Sequence, residues 1–245
     1  MKQIEQLLPG NYYHIYNRGI NSCNLFNEVS DYEHFFELYD TYISPVAETY
    51  AWVLMPNHFH FLVRIKENVV YRYSNADRSV DAVRFFEEHK WETTTLPDLS
   101  ACQAPDSVKA DEVIDSVKES IDSGNIKIPK PHLHFSHLFN AYSSYINKRN
   151  NRHGSLFERP FKRKLINNDK YLKNVIVYIH NNPVHHGFCK HPMEYPWSSY
   201  LSCISVKPGF IKQENVMKWF DNEEDFRKTH DSSSALCWME DWLEI

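Results

Sequence analysis

Glycine is scarce, with six in 245 residues, and neither a G-x-x-x-x-G-K-[ST] loop nor a G-x-G-x-x-G turn can be drawn from them. The backbone cradles that usually hold nucleotide phosphates are therefore missing, which disfavours an enzyme driven by nucleotide hydrolysis. Long apolar runs are missing too. No stretch approaches the ~20 residues that span a bilayer, and the opening MKQIEQLLPG has no signal-peptide core, so a cytoplasmic chain without a membrane partner is expected. Cysteine offers no framework: Cys23, Cys102, Cys189, Cys203 and Cys237 are odd in number and form no C-x-x-C pair. That disfavours a disulfide scaffold or a cysteine zinc knuckle and leaves reduced packing residues. An overall excess of positive charge, a common mark of nucleic-acid binding, is also absent, the formal net charge being −5.

What the sequence does have is positive charge held in one place. Residues 1–66 carry 4 basic and 7 acidic side chains, 67–131 carry 8 and 13, 132–189 carry 9 and 2, and 190–245 carry 6 and 10. The densest part of the basic segment contains Lys148, Arg149, Arg152, Arg159, Lys162, Arg163 and Lys164, interleaved with Phe157 and Phe161 and opposed by Glu158. Screening limits the reach of each charge to roughly 10 Å, so such a cluster can bind a polyanion whatever the charge of the whole molecule. Arg18, at a turn, joins the set as a further phosphate contact. On charge alone, a solvated helix-and-turn surface is the alternative.

With 42% hydrophobic and 24% charged residues, a chain of this length suits one elaborated domain or two small ones. A first strand is predicted over residues 11–16, ended by Asn17-Arg18-Gly19. Ser30 or Asp31 can cap a helix between Val29 and Thr49, with Phe35, Phe36, Leu38, Tyr39 and Tyr42 on its apolar side and a stop near Pro45. A second strand is expected from about Ala51, interrupted or bent by Pro56. In the following run to Ile65, alternation puts Phe59, Phe61, Val63 and Ile65 on one face and His58, His60, Leu62 and Arg64 on the other. Residues 67–131 turn acidic, with weak amphipathic patterns at 80–89 and 110–121 and a loop-like stretch at 93–107. They read as an insertion dividing a core of residues 1–66 and 132–202, with 203–245 as a C-terminal extension. The core resumes with a helix over about 135–149 and a strand around 161–166. Asn168 or Asp169 then caps a helix in which Leu172, Val175, Ile176 and Ile179 recur at helical spacing until Pro183 ends it.

Two constellations could carry chemistry. His58 and His60, at i and i+2 of a strand, point the same way and suit cis coordination of one divalent ion, or else are two hydrogen-bonded histidines. His132-Leu133-His134 repeats the pattern, but after two prolines and ahead of a helix. Tyr178 and Asn182, at i and i+4, are neighbours on the flank of the last helix and could bring a phenol and a carboxamide to one site. The plain alternative is a tyrosine at the edge of the core and a helix-end asparagine.

These residues belong to a longer series: Tyr13-His14-Ile15-Tyr16-Asn17-Arg18-Gly19, Met55-Pro56-Asn57-His58-Phe59-His60-Phe61-Leu62-Val63, Gly154-Ser155-Leu156-Phe157-Glu158-Arg159, Tyr178-Ile179-His180-Asn181-Asn182-Pro183-Val184 and Trp197-Ser198-Ser199-Tyr200. In this order they resemble the single-tyrosine HUH transposases, and within them the group associated with repetitive extragenic palindromes, over about residues 11–66 and 132–202. The resemblance implies an α+β fold, a ferredoxin-like antiparallel sheet with helices packed on it, interrupted by a mainly helical insertion. It implies that Tyr178 cuts single-stranded DNA beside a hairpin through a 5′-phosphotyrosine link and that the strand is then rejoined. It makes His58 and His60 ligands of Mg²⁺ or Mn²⁺, with Asn182, weaker than a carboxylate, as the third. Single-stranded or hairpin DNA is the expected partner, at the nucleoid; monomer or homodimer, and tyrosine in cis or trans, stay open. Two rivals remain: a domesticated hairpin-binding protein that no longer cuts, and a nuclease in which His58 and His60 activate water.

Overall fold

The computed structural model describes residues 5–73, 92–93, 125–205 and 209–232. In chain order the elements are β1 (Tyr12–Arg18), α1 (Val29–Tyr42), β2 (Ala47–Met55), β3 (His58–Ile65), β4 (Val69–Tyr73), β5 (Glu92–Thr93), β6 (Asn125–Lys127), α2 (Pro131–Arg149), β7 (Lys162–Ile166), α3 (Asp169–His185), α4 (Tyr200–Ile204), α5 (Gln213–Met217) and α6 (Glu223–Asp231). The chain divides into two compact units, residues 1–65 with 131–245, and residues 66–130. In the smaller unit β5, β4 and β6 form an antiparallel sheet in that order. The helical patterns expected at 80–89 and 110–121 lie outside the described residues, as does nearly all of the loop-like stretch.

The larger unit is built on four antiparallel strands in the order β2-β3-β1-β7. Strands and helices alternate as βαββαβ, giving the ferredoxin-like α+β sheet. One face is apolar for the reason the alternation gives. Phe59 and Phe61 are buried under α1 and α2, with Phe35 5.5 Å from Phe59, Tyr39 4.5 Å from Phe61 and Phe139 5.5 Å from Phe59 between ring centroids. The opposite face receives α3, which packs on β2 and β3.

Several boundaries differ from the sequence expectation. Glu28, rather than Ser30 or Asp31, is the N-cap of α1; Asp31 reaches back as the other half of a capping box and accepts the Asn27 and Glu28 backbone N–H groups at 2.9 and 3.1 Å. Strand β2 begins at Ala47, earlier than expected, because a bulge between Thr49 and Ala51 breaks the alternation that would have revealed it. Pro56 interrupts the strand, as expected: β2 stops at Met55, and Pro56 with Asn57 forms the tight connection between the paired residues Met55 and His58. Helix α2 starts at Pro131, whose missing N–H costs nothing at a first helical position. Pro183 lies inside α3, which continues to His185; so near the end of the helix the proline removes one hydrogen bond without stopping it.

The described part of the tail, residues 209–232, packs on the larger unit. The Lys212 N–H donates to the Thr49 carbonyl at 2.9 Å, and Lys173 of α3 pairs with Asp225 of α6 at 2.7 Å. Trp197 stacks on Tyr32, centroids 4.3 Å apart. Among the described residues no helix is long and apolar enough to cross a membrane.

Candidate functional site

Strand register decides what meets α3. Arg18 pairs with His58, Tyr16 with His60 and His14 with Leu62, while on the other side of β1 Lys162 pairs with Tyr16 and Lys164 with His14. Directly opposed residues share a face. His14, Tyr16, Arg18, His58, His60, Lys162 and Lys164 therefore lie on the side that α3 covers. Asn168 caps that helix, its Oδ1 accepting the Lys170 N–H at 2.8 Å, and Leu172, Val175, Ile176 and Ile179 are buried along it. This seating brings Tyr178 edge-on to His60, with centroids 5.4 Å apart, and to His14, at 6.0 Å. The His58 and His60 rings are 5.3 Å apart. The two strand histidines, the tyrosine and Asn182 thus share one compartment, and Tyr178 is 3% exposed.

His58 sits between two amides, its Nδ1 2.7 Å from Asn57 Oδ1 and its Nε2 2.9 Å from Asn182 Oδ1. Burial holds its pKa down to about 4, with the Asn182 contact opposing and the His186 and Arg18 charges assisting. A neutral imidazole has one N–H, so His58 donates to one amide oxygen and turns a lone pair toward the other amide. Donation to Asn57 leaves Nε2 and the Asn182 oxygen facing each other lone pair to lone pair, an arrangement that suits a divalent cation between them. His60 is held well below the ordinary imidazole pKa by burial and by its histidine neighbours. Two imidazoles and one amide oxygen, from His58, His60 and Asn182, suit Mn²⁺ better than Mg²⁺, which keeps to oxygen ligands. Among the described residues no three His, Cys, Asp or Glu side chains gather as a metal-binding group, so a set of this kind depends on the carboxamide.

The predicted DNA contacts separate. Arg18, Lys162 and Lys164 rim the histidine face, as the register requires; Arg18 also contacts Glu158 at 3.9 Å. Arg163 points through the opposite face, its guanidinium 4.0 Å over the Phe161 ring. There, with Arg159, Asn17, Asn140, Phe139 and Phe157, it lines a cavity of about 430 Å³. Lys148 is exposed at the end of α2, and Arg152 donates to the Ser155 carbonyl at 3.4 Å. Arg149 has a different role from the one its sequence neighbourhood suggests: it donates to Asp31 at 2.6 Å and pairs with Glu28, tying α2 to the start of α1. The second histidine pair lies on α2, where His134 is buried and donates from Nδ1 to the Tyr42 carbonyl at 2.8 Å.

Three features were not anticipated. His14, 0% exposed, is in contact with His60, its Nε2 3.0 Å from His60 Nδ1. No local spacing announces it, since the contact spans β1 and β3. His186 lies 5.0 Å from His58 and four residues beyond Asn182, a helical relation that a stop at Pro183 would hide. Behind α3, His230 Nδ1 donates to the Phe226 carbonyl at 2.7 Å, which leaves its Nε2 to accept from His180 Nδ1 at 2.9 Å. His180 Nε2 then accepts from the Ser199 hydroxyl at 2.8 Å, and Ser199 Oγ accepts the Trp52 N–H at 2.8 Å. This buried chain fixes α3 to β2 and α6.

No protein-family model matches the chain, and no curated protein does. A solved structure described as a REP-associated tyrosine transposase bound to a REP hairpin has the same fold, with a TM-score of 0.51 over 85% of this chain and 88% of that one at 14% sequence identity. At that identity the likeness establishes a distant structural relationship.

Proposed function

We propose that this chain is a metal-dependent, transposase-type strand-transfer enzyme that cuts single-stranded DNA beside a hairpin through Tyr178 and rejoins it. The observation that carries the proposal is the convergence beneath α3, with Tyr178 5.4 Å from His60 between centroids and Asn182 2.9 Å from His58. The likeness to a hairpin-bound tyrosine transposase supports DNA as the partner.

In the proposed reaction the Tyr178 oxygen forms a bond to the scissile phosphorus as the bond from phosphorus to the 3′ oxygen breaks. The 5′ end stays on Tyr178, and the phenolic proton ends on the departing 3′ oxygen. A phenol with the usual pKa of about 10 is about one-thousandth ionised at pH 7, a deficit of roughly 4 kcal/mol. Bound by His58, His60 and Asn182, Mg²⁺ or Mn²⁺ supplies Lewis acidity to the phosphate oxygens. The chain does the rest: burial keeps both imidazoles neutral, Asn57 orients His58, and α3 holds the phenol against the sheet. Arg18, Lys162 and Lys164 hold backbone phosphates along the rim; Arg159 and Arg163, on the opposite face, lie outside this set. The phosphotyrosine conserves the phosphodiester bond energy. A DNA 3′-hydroxyl can attack it without ATP, in keeping with the missing nucleotide motifs.

Incubation of end-labelled, hairpin-bearing single strands with Mn²⁺, followed by denaturing electrophoresis, tests this. The expected result is a protein-linked band that Tyr178→Phe abolishes. Cleavage that persists in Tyr178→Phe would transfer the reaction to water activated at His58 and His60. Binding without cleavage would favour a non-cutting hairpin binder, a reading helped by the absence of a His, Cys, Asp or Glu trio among the described residues.

A further inference from the structure

The cavity of about 430 Å³ on the face opposite the histidines has no part in the reaction proposed above. Helix α2 gives it Phe139 and Asn140, the end of β1 gives Asn17, and the chain running into β7 gives Phe157, Arg159, Phe161 and Arg163. One part of the wall is aromatic: Phe139 lies 5.1 Å from Phe157 and 5.3 Å from Phe161 between ring centroids. The Arg163 guanidinium extends that surface, 4.0 Å over the Phe161 ring. The rest of the wall is polar and incompletely used. Arg163 Nε is buried with no hydrogen-bond partner. Burial lowers the Arg163 pKa, with the charges of Glu5 and Tyr13 opposing, so this cation stands partly out of water. Such a group gains most from an anionic or acceptor-rich partner. Asn17 Oδ1 accepts the Arg18 N–H at 2.9 Å, which leaves the Asn17 NH₂ to donate. The carboxylate in the lining, Glu158, is drawn toward Arg18 at 3.9 Å.

We propose that this cavity takes one unpaired nucleotide of the bound DNA strand, its base against the phenylalanine cluster and its phosphate at Arg159 and Arg163. This rests on the reading of DNA as the partner. The volume falls within the range of about 300–1,000 Å³ usual for small-molecule pockets, and aromatic faces beside cations are how unpaired bases are held. A paired base has both faces covered by its neighbours and cannot enter, so the cavity selects single-stranded nucleotides. The cavity also lies within reach of the phosphate rim. Tyr16 pairs with Lys162, which sets the end of β1 beside the start of β7. Successive strand residues point to opposite faces, so Asn17 and Arg163 in the cavity are chain neighbours of Arg18, Lys162 and Lys164 on the rim. The Glu158 N–H donates to the Arg18 carbonyl at 2.9 Å, tying the cavity wall to the same end of the sheet. A strand held on the rim therefore reaches the cavity by passing round that end.

Fluorescence-anisotropy titration of the full-length chain with hairpin DNA bearing single-stranded flanks, each unpaired nucleotide made abasic in turn, tests this. One abasic position should weaken binding about 5- to 150-fold, the worth of one stacked base. Asn140→Trp fills the cavity from an exposed position on α2. It should weaken binding of the intact strand and make binding indifferent to that abasic position. Arg163→Gln should reduce the slope of log affinity against log salt by about 0.7, for one single-strand phosphate. Urea melts establish that both variants fold, and the abasic series on the wild-type chain stands without them. If every abasic strand binds wild type as tightly as the intact one, or if the abasic effect is undiminished in folded Asn140→Trp, the inference falls and DNA remains the partner. If free deoxynucleoside monophosphates bind wild type but not Asn140→Trp while no abasic position matters, the cavity serves free nucleotides and the inference falls as well. If neither hairpin nor single strand binds, the DNA reading itself fails.

Discussion

At the scale of single residues, the unusual member of the site is Asn182. A carboxamide brings an oxygen but no charge, so the proposed ligand set of His58, His60 and Asn182 carries no formal negative charge toward a divalent ion. Asn182→Asp changes that with almost no change of shape. At 2.9 Å from His58 Nε2, the new carboxylate should raise the His58 pKa from about 4 and tighten Mn²⁺ binding by about tenfold or more, as opposite charges at this range do. Mn²⁺ titration of the two proteins at one pH measures it; equal affinities would remove Asn182 from the ligand set. The pairing of Asn182 with Tyr178 was legible from i, i+4 spacing, and that of His58 with His60 from strand alternation. His14 was not, because it comes to His60 through a strand register that no local pattern encodes.

At the scale of elements, the basic segment shows where composition stops being informative. Strand parity sends Lys162 and Lys164 to one face of the sheet and Arg163 to the other, although the three are consecutive. Arg149 is paired with Asp31 and Glu28, more than a hundred residues earlier in the chain. The two classes should respond differently. Lys162→Ala should flatten the plot of log affinity for hairpin DNA against log salt by about 0.7 to 0.9 for each phosphate that the lysine neutralises. Arg149→Ala should leave that slope unchanged and lower the urea midpoint, because it detaches α2 from the N-terminus of α1 and leaves the buried Asp31 carboxylate without its cation. Fluorescence-anisotropy titrations over a salt series, with urea melts of the same proteins, separate the roles; a reduced slope in Arg149→Ala would return it to the DNA surface. The elements themselves were legible wherever their period was clean, as in β3 and α3. They were not where a bulge in β2 broke the period or where Pro131 and Pro183 imitate stops.

At the scale of the whole molecule, histidine burial ties stability to pH. His14, His58, His60, His134, His180 and His230 all have pKa values lowered chiefly by burial, to about 3 for His14 and about 4 for His58, His134 and His230. Some of these serve the proposed site and others, such as the chain from His230 through His180 to Ser199, hold α3 in place. The sign follows from proton counting. Between the folded values and the unfolded value near 6.5, the unfolded chain binds more protons, so stability rises with pH through that window and is fully present above it. Acidification from pH 7 toward 4 should therefore destabilise the fold, each buried histidine contributing at most about 1.4 kcal/mol per pH unit once the unfolded form is protonated. Urea midpoints at pH 7, 6 and 5 should fall with increasing steepness. A midpoint that holds constant down to pH 5 would mean that these rings are not neutral inside the fold. The lone pairs required of His58 and His60 would then have to be sought in another state of the protein.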